Sequence, residues 1–241
     1  MNKPVIGLLL DWQENGSFSK RPHYAVRQDY FDAVSACGGL PMGLPYDREN
    51  MKDHIDRIDG LLCPGGNYAS PPEWYLEGME TTYDPSPRAE YEIELIRKVL
   101  EAGKPVLAIC GGMQVMSAAF GAKMVPDLHS YFDTDIDHKN GTSSDGFAYR
   151  VDIEPDSRLA KITGETSMRV NSAHKEAVVE AGKRIKIVAI AEDGVIQGIE
   201  VPEYDFAVGV QWHPEMFISD DKGEPGHRKL FEALIAKARS N

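Results

Sequence analysis

Hydrophobic and polar positions follow two rhythms along this chain. Up to Gly121, short continuous apolar runs alternate with stretches of helical spacing. "PVIGLLL" (4–10) is an unbroken apolar run, as expected of a strand covered on both faces. "YAVRQDYFDAVSACGG" (24–39) has apolar residues at helical spacing and stops on a glycine pair. "LPMGLPY" (40–46) reads as a second strand, "MKDHIDRI" (51–58) as a short helix, and "DGLLCPGG" (59–66) as a third strand entering a glycine turn. "RAEYEIELIRKVLEAGK" (88–104) is amphipathic and helical, "PVLAI" (105–109) is a fourth strand, and "GGMQVMSAAFG" (111–121) is the helix that follows it. Strands alternating with helices predict right-handed βαβ units and a parallel sheet.

Past Gly121 the rhythm changes. "DTDIDHKNGTSSDGFAYRVDIEPDS" (133–157) is polar and rich in turn residues, with an Asn140-Gly141 pair suited to a tight turn. "AYRVDIE", "RIKIVAIAEDGVIQGIEV" and "FAVGVQWHPE" then alternate like antiparallel or mixed strands, with Asp193-Gly194 as a hairpin turn, and "GHRKLFEALIAKARSN" is a closing helix. The expectation is a single α/β domain over residues 1–241: a mostly parallel central sheet flanked by helices, with a β-rich second half. Segment 67–87, with four Pro and four aromatic residues, fits no regular element and reads as a lid over a site.

Composition narrows the function. Of 241 residues, 42% are hydrophobic, enough for a sizeable core. The net charge of −12 argues against nucleic acid as a partner, because phosphate contacts need clustered Lys and Arg. No apolar run approaches the roughly 20 residues of a membrane span, and the N-terminal run lacks a cleavage site of small residues. Cys37, Cys63 and Cys110 are odd in number, far apart and in no CxxC arrangement, which fits a reducing, cytoplasmic setting and no disulfide or zinc framework. The histidine spacing offers no metal-ligand pattern.

Cys110 stands apart from the other two cysteines. It sits between strand 105–109 and the next helix, with Ala108 two residues before it and Gly112 two after. A nucleophile elbow needs small residues at those positions, because strand and helix pass closely around a strained backbone. The helix N-terminus would then aim free N–H groups and the positive dipole end at the sulfur, favouring thiolate. Cys37 and Cys63 read instead as buried small hydrophobes. A thiolate needs a base and the base an orienting group. His213 in "GVQWHPE" ends an apolar strand, and Glu215 follows two residues later, placed to meet one imidazole nitrogen while the other faces the cysteine. His23 and His54 read as helix positions, His129 and His138 as polar-loop positions, and His227 as the start of the last helix. Asn171, Ser172 and His174 form a polar cluster that reads either as a ligand contact or as a solvated loop. The backbone N–H of Gly111 and the turn at Gly65-Gly66 are sources of an oxyanion hole.

Taken in order, "LLCPGG", "GKPVLAICGGMQ", "VNSAH" and "VGVQWHPE" resemble the class I glutamine amidotransferase superfamily, and within it the gamma-glutamyl-gamma-aminobutyrate hydrolase group, peptidase family C26. The resemblance implies a flavodoxin-like fold of the class I amidotransferase type. It implies Cys110 as nucleophile, His213 as base and then acid, and Glu215 as the residue orienting His213. Gly66 and Gly111 would supply oxyanion N–H groups, with Gly65 shaping the turn. Gln114, Asn171, Ser172 and His174 would help hold a glutamyl moiety. The implied reaction is hydrolysis of a γ-glutamyl amide through a glutamyl-thioester, without a cofactor, in the setting of putrescine breakdown. The implied partners are a small γ-glutamyl substrate and, at most, a second copy of the chain in a homodimer. Two positions depart from the pattern: Gly111 replaces the usual Arg, and Lys175-Glu176 replace the usual His-Gln. A glutaminase subunit passing ammonia to a separate synthetase, and a non-catalytic binding relative, remain open beside the hydrolase.

Overall fold

The run after Pro4 forms β1 (Val5–Leu9), and the chain then turns into a small hairpin, β2 (Asp11–Gln13) and β3 (His23–Ala25), before α1 (Gln28–Ala36). The computed structural model describes residues 2–66, 70–81, 88–139, 146–219 and 223–240. β4 (Leu40–Leu44), α2 (Met51–Arg57), β5 (Gly60–Cys63), α3 (Ala89–Glu101), β6 (Val106–Ile109) and α4 (Gly111–Ala119) continue the expected alternation. Then come β7 (Lys123–Val125), β8 (Tyr149–Ile153), α5 (Arg158–Thr163), β9 (Ser167–Val170), β10 (Ala177–Glu180), β11 (Lys186–Ala191), β12 (Ile196–Glu200), β13 (Ala207–Val210), α6 (Pro214–Ser219) and α7 (Pro225–Arg239).

Nine strands make one sheet in the order β4-β1-β5-β6-β13-β12-β11-β8-β9. The first five are parallel, and the last four are joined antiparallel. The central strands β5, β6 and β13 are buried along their whole length, which is why they read as continuous apolar runs rather than alternating ones. Side chains of α1, α5 and α7 join the core on one face of the sheet, and those of α2, α3 and α4 join the core on the other. The α/β class, the mixed sheet with its parallel core and the β-rich second half therefore match the sequence pattern.

Some local expectations shift. The helix read over 24–39 starts only at Gln28, because His23–Ala25 pair antiparallel with Asp11–Gln13. His23 is thus a strand residue. His138 is fully buried and not in a solvated loop: its imidazole lies 2.8 Å from the Asp193 carboxylate and 2.9 Å from the Tyr149 hydroxyl. The Asn140-Gly141 turn lies outside the described residues, as do 67–69 and 82–87 of the segment read as a lid. The described part of that segment is packed down. Trp74 and Tyr75 are buried, and Leu76 N–H donates to Met124 O at 3.0 Å. The Glu176 carboxylate accepts from Ser70 N–H, Ser70 Oγ and Tyr75 OH at 3.1, 2.6 and 2.7 Å. One of the two departures from the family pattern thereby has a structural task, anchoring this segment.

The approach of α4 to β5 allows no side chain at Gly112, where a Cβ would lie 2.2 Å from the Cys63 carbonyl oxygen. Backbone on one side and a helix on the other leave nothing flexible to yield. Gly112→Ala is expected to cost about 1–3 kcal/mol. At about 2–4 °C per kcal/mol for a chain of this size, Tm should drop by several degrees in calorimetry. An unchanged Tm would show that α4 is not pinned against β5.

Candidate active site

Three neighbouring parallel strands end side by side, and each delivers part of one site. β5 runs into Pro64-Gly65-Gly66, β6 into Cys110, and β13 through Gln211 and Trp212 to His213. The register sets Cys63 beside Ala108, and Ile109 beside Val210. This is the carboxyl edge of the parallel strands, where open α/β sheets hold their ligands.

Cys110 has φ 52° and ψ −112°, and it is the one non-glycine with positive φ among the described residues. Such a conformation is costly and persists only where surroundings enforce it. Here Cys110 N–H donates to Val210 O at 2.8 Å, and Cys110 O accepts from Gln114 N–H at 3.1 Å, the first bond of α4. The elbow read from the sequence is present. Gly111 opens α4, so its N–H has no acceptor within its own helix. Gly65 approaches as closely as a glycine can: a Cβ there would sit 3.1 Å from both Cys110 Cβ and His213 Cε1. The Gly65 N–H is taken by Tyr30 OH at 3.0 Å, and Gly66 follows on the cavity wall.

His213 is buried, and its Nδ1–H donates to Glu215 Oε1 at 2.8 Å, while the imidazole also hydrogen-bonds Cys110. Glu215 has no exposure at all. Burial by itself would push the imidazole pKa down, but the Glu215 carboxylate and then Cys110 outweigh it and raise it to about 10. The imidazolium form is thereby retained at neutral pH, as an ion pair with a thiolate requires. The backbone of His213 is fixed as firmly as its ring. Asn171 Nδ2 donates to His213 O at 2.9 Å, and His213 N–H donates to Asn171 Oδ1 at 2.7 Å.

Two residues that the sequence reading missed complete the site. Arg27, at the start of α1, places Nη2 2.8 Å from Glu215 Oε1 and 2.8 Å from His213 Nδ1. Because Nδ1 gives its proton to Glu215, Arg27 and His213 meet as two donors on one carboxylate oxygen. Tyr30, one turn into α1, is buried and lies 3.1 Å from Arg27 Nη2 and 3.3 Å from His213 Nδ1. Its phenol is pushed well above its ordinary pKa by burial and then by the Glu215 charge, so it stays neutral. In the sequence Tyr30 is simply an apolar helix position, and Arg27 a polar residue before the helix.

Cys110, His213, Arg27, Tyr30, Gly65 and Gly66 line a cavity of about 450 Å3. The other expected ligand contacts do not face it with their polar atoms. Of "NSAH" only Ala173 reaches the cavity wall. Asn171 is committed to His213. Ser172 Oγ donates to His138 O and accepts from Tyr149 OH. His174 donates from Nδ1 to Glu176 O at 3.0 Å, with Gln197 Nε2 3.3 Å from its Nε2. Burial, and then His138, lower the His174 pKa to about 3, so it is neutral. Gln114 Nε2 donates to Glu176 O at 3.1 Å and to Gln211 Oε1 at 3.3 Å. The expectation that these four hold the ligand is corrected. Buried polar atoms need partners, and these have found them inside the protein.

A family model described as Peptidase C26 matches residues 4–215. The chain belongs to the peptidase C26 family. A relative from Escherichia coli, named gamma-glutamyl-gamma-aminobutyrate hydrolase, is 28% identical over 98% of this chain and 93% of its own. A glutamine amidotransferase-like protein of Rickettsia prowazekii is 29% identical over 98% of both chains. A solved GMP synthase structure from Thermoplasma acidophilum superposes with TM-score 0.65 at 15% identity, covering 100% of this chain and 96% of that one. The last shows the fold alone. Family and relatives together make this C26 chain a glutamine amidotransferase-like hydrolase acting on amide bonds. Among the described residues no helix is long and apolar enough to cross a membrane, and no group of three or more His, Cys, Asp or Glu is placed to hold a metal ion.

The raised His213 pKa depends on Glu215. Glu215→Gln removes the anion, so the imidazolium loses its proton at lower pH. In an NMR titration of the His213 ring, the midpoint near 10 is expected to fall by about one unit or more. A midpoint that stayed in place would show that Glu215 does not set the charge of His213.

Proposed function

We propose that this protein hydrolyses γ-glutamyl amides through a thioester on Cys110. The observation that carries the proposal is the strained Cys110 at the elbow, hydrogen-bonded to a His213 that Glu215 keeps protonated. The thiolate attacks the γ-carbonyl carbon, and the oxyanion accepts N–H bonds from Gly66 and Gly111. As the C–N bond breaks, His213 gives its proton to the leaving nitrogen, and the amine departs. His213, now neutral, takes a proton from water, whose oxygen attacks the thioester carbon. The C–S bond breaks, and glutamate and the Cys110 thiolate are released. Glu215 keeps the imidazole in register through both halves and offsets its positive charge.

Relatives named gamma-glutamyl-gamma-aminobutyrate hydrolase support γ-glutamyl-γ-aminobutyrate or a related γ-glutamylamine as substrate, a step that fits putrescine breakdown. Glutamine is the competing substrate, supported by the relatives named glutamine amidotransferase-like.

Glutamate release from γ-glutamyl-γ-aminobutyrate, γ-glutamylputrescine and glutamine is the test, with kcat/KM measured for each. Cys110→Ala is expected to lower kcat/KM about a thousandfold or more, with His213→Asn nearly as severe because residues acting as one unit are not additive. Glu215→Gln should be milder. Highest kcat/KM on glutamine would favour the glutaminase reading, and no turnover with an unreactive Cys110 would favour a binding protein. Retained activity in Cys110→Ala would overturn the mechanism.

A further inference from the structure

Arg27 has more hydrogen-bonding capacity than its protein partners use. Its contacts to Tyr30, His213 and Glu215 all run through Nη2. The two Nη2 protons match the two acceptors present, Glu215 Oε1 and Tyr30 OH. Nη1 and Nε make no hydrogen bond among the described residues, the side chain is 43% exposed, and it lines the cavity. Half-exposed but fixed at one nitrogen, the guanidinium offers a pre-positioned donor edge suited to a carboxylate.

Its position says which end of the substrate it meets. His213 delivers its proton to the leaving nitrogen, so the leaving amine departs along the imidazole side of Cys110. Arg27 stands against that same imidazole. The remaining charges on the cavity wall fit this assignment. Arg27 is the one Arg or Lys among the described residues lining the cavity. Asp11 also lines it, but its carboxylate is 2.7 Å from the buried Arg88 guanidinium, which balances its charge. Gln13, on the hairpin strand beside Asp11, adds a neutral carboxamide to the same wall.

We infer that Arg27 is a specificity-determining residue that receives a carboxylate on the leaving amine, selecting γ-glutamyl conjugates of amino acids over those of neutral or cationic amines. This rests on the hydrolase reading above and deepens it: the substrate class is a γ-glutamyl amide whose departing amine is itself an amino acid. The family pattern carries an arginine directly after the nucleophile; here that position is Gly111, and the cavity's guanidinium comes from the start of α1.

The test uses three substrates with four-carbon leaving amines: γ-glutamyl-γ-aminobutyrate (anionic), γ-glutamylbutylamine (neutral) and γ-glutamylputrescine (cationic). The purified enzyme is expected to show kcat/KM at least about tenfold higher for the anionic amide than for the neutral one, with the cationic amide slowest. Arg27→Gln should collapse the anionic-to-neutral ratio to near one. Arg27→Lys, which keeps the charge without the fork, should hold an intermediate ratio. Reading a ratio removes any loss common to all substrates through Glu215. A ratio unchanged in Arg27→Gln, with every rate down equally, would reduce Arg27 to a positioning residue for Glu215 and overturn the inference. Equal or faster turnover of the neutral or cationic amide by the native enzyme would overturn it too, while leaving the hydrolase reading standing. No turnover of any of the three would instead remove the hydrolase reading on which it rests.

Discussion

The site depends on one backbone conformation that the chain would not adopt freely. With φ at 52°, Cys110 is held where an L-residue is strained, and the structure supplies the restraint from three directions. β13 takes its N–H through Val210, α4 begins on its carbonyl through Gln114, and Gly112 lets that helix lie against the Cys63 carbonyl. Relaxing any of the three would let the corner unwind and carry the sulfur away from His213. The parallel core is what makes the restraint available. β5, β6 and β13 are adjacent and fully buried, so their carboxyl ends cannot slide independently.

On that frame sits a compact set of charges. Arg27, Glu215, His213 and Cys110 alternate in sign when the thiolate and imidazolium are present, and the sum is neutral. Neutrality matters because Glu215 has no exposure, and an isolated buried carboxylate is costly. Two cationic donors on one of its oxygens make its burial tolerable, and they fix the plane of the imidazole at the same time. Tyr30 closes the arrangement from below: it holds the Gly65 N–H and faces Arg27 and His213 with a hydroxyl that stays protonated. α1 is therefore part of the site and not merely a helix covering the sheet.

The sequence made the local parts of this arrangement legible. An elbow announces itself in Ala108, Cys110 and Gly112, because small residues at fixed offsets have a steric cause. His213 and Glu215 are two residues apart and carry their own geometry. Arg27 and Tyr30 carry no such local signature. Tyr30 fits the apolar stripe of α1, and Arg27 is a polar residue at a helix start; only the packing of α1 against α6 brings them to Glu215. Asn171, Ser172 and His174 were visible as a polar cluster, yet their direction was not. A polar residue facing a ligand and one clamping a neighbouring peptide look alike in sequence, and pairing across the sheet decides between them. The shortened α1 has the same origin: the hairpin pairing of 23–25 with 11–13 is tertiary information that overrides helical spacing.

The direction taken by Asn171 gives the β-rich half its part in the site. Asn171 follows β9, the far edge strand of the nine, and reaches back to hold both backbone polar groups of His213. Beside it, Ser172 ties into His138 and Tyr149, and His174 is kept neutral among Glu176 and Gln197. Glu176 in turn anchors residues 70–75 through Ser70 and Tyr75. A continuous polar layer thus runs under the cavity from the antiparallel strands to the segment after β5. Its members present Ala173, rather than charged or hydrogen-bonding groups, to the cavity wall. The division of labour follows: the antiparallel half fixes the base from behind with satisfied hydrogen bonds, and the charged group left to meet a ligand, Arg27, enters from the opposite side on α1.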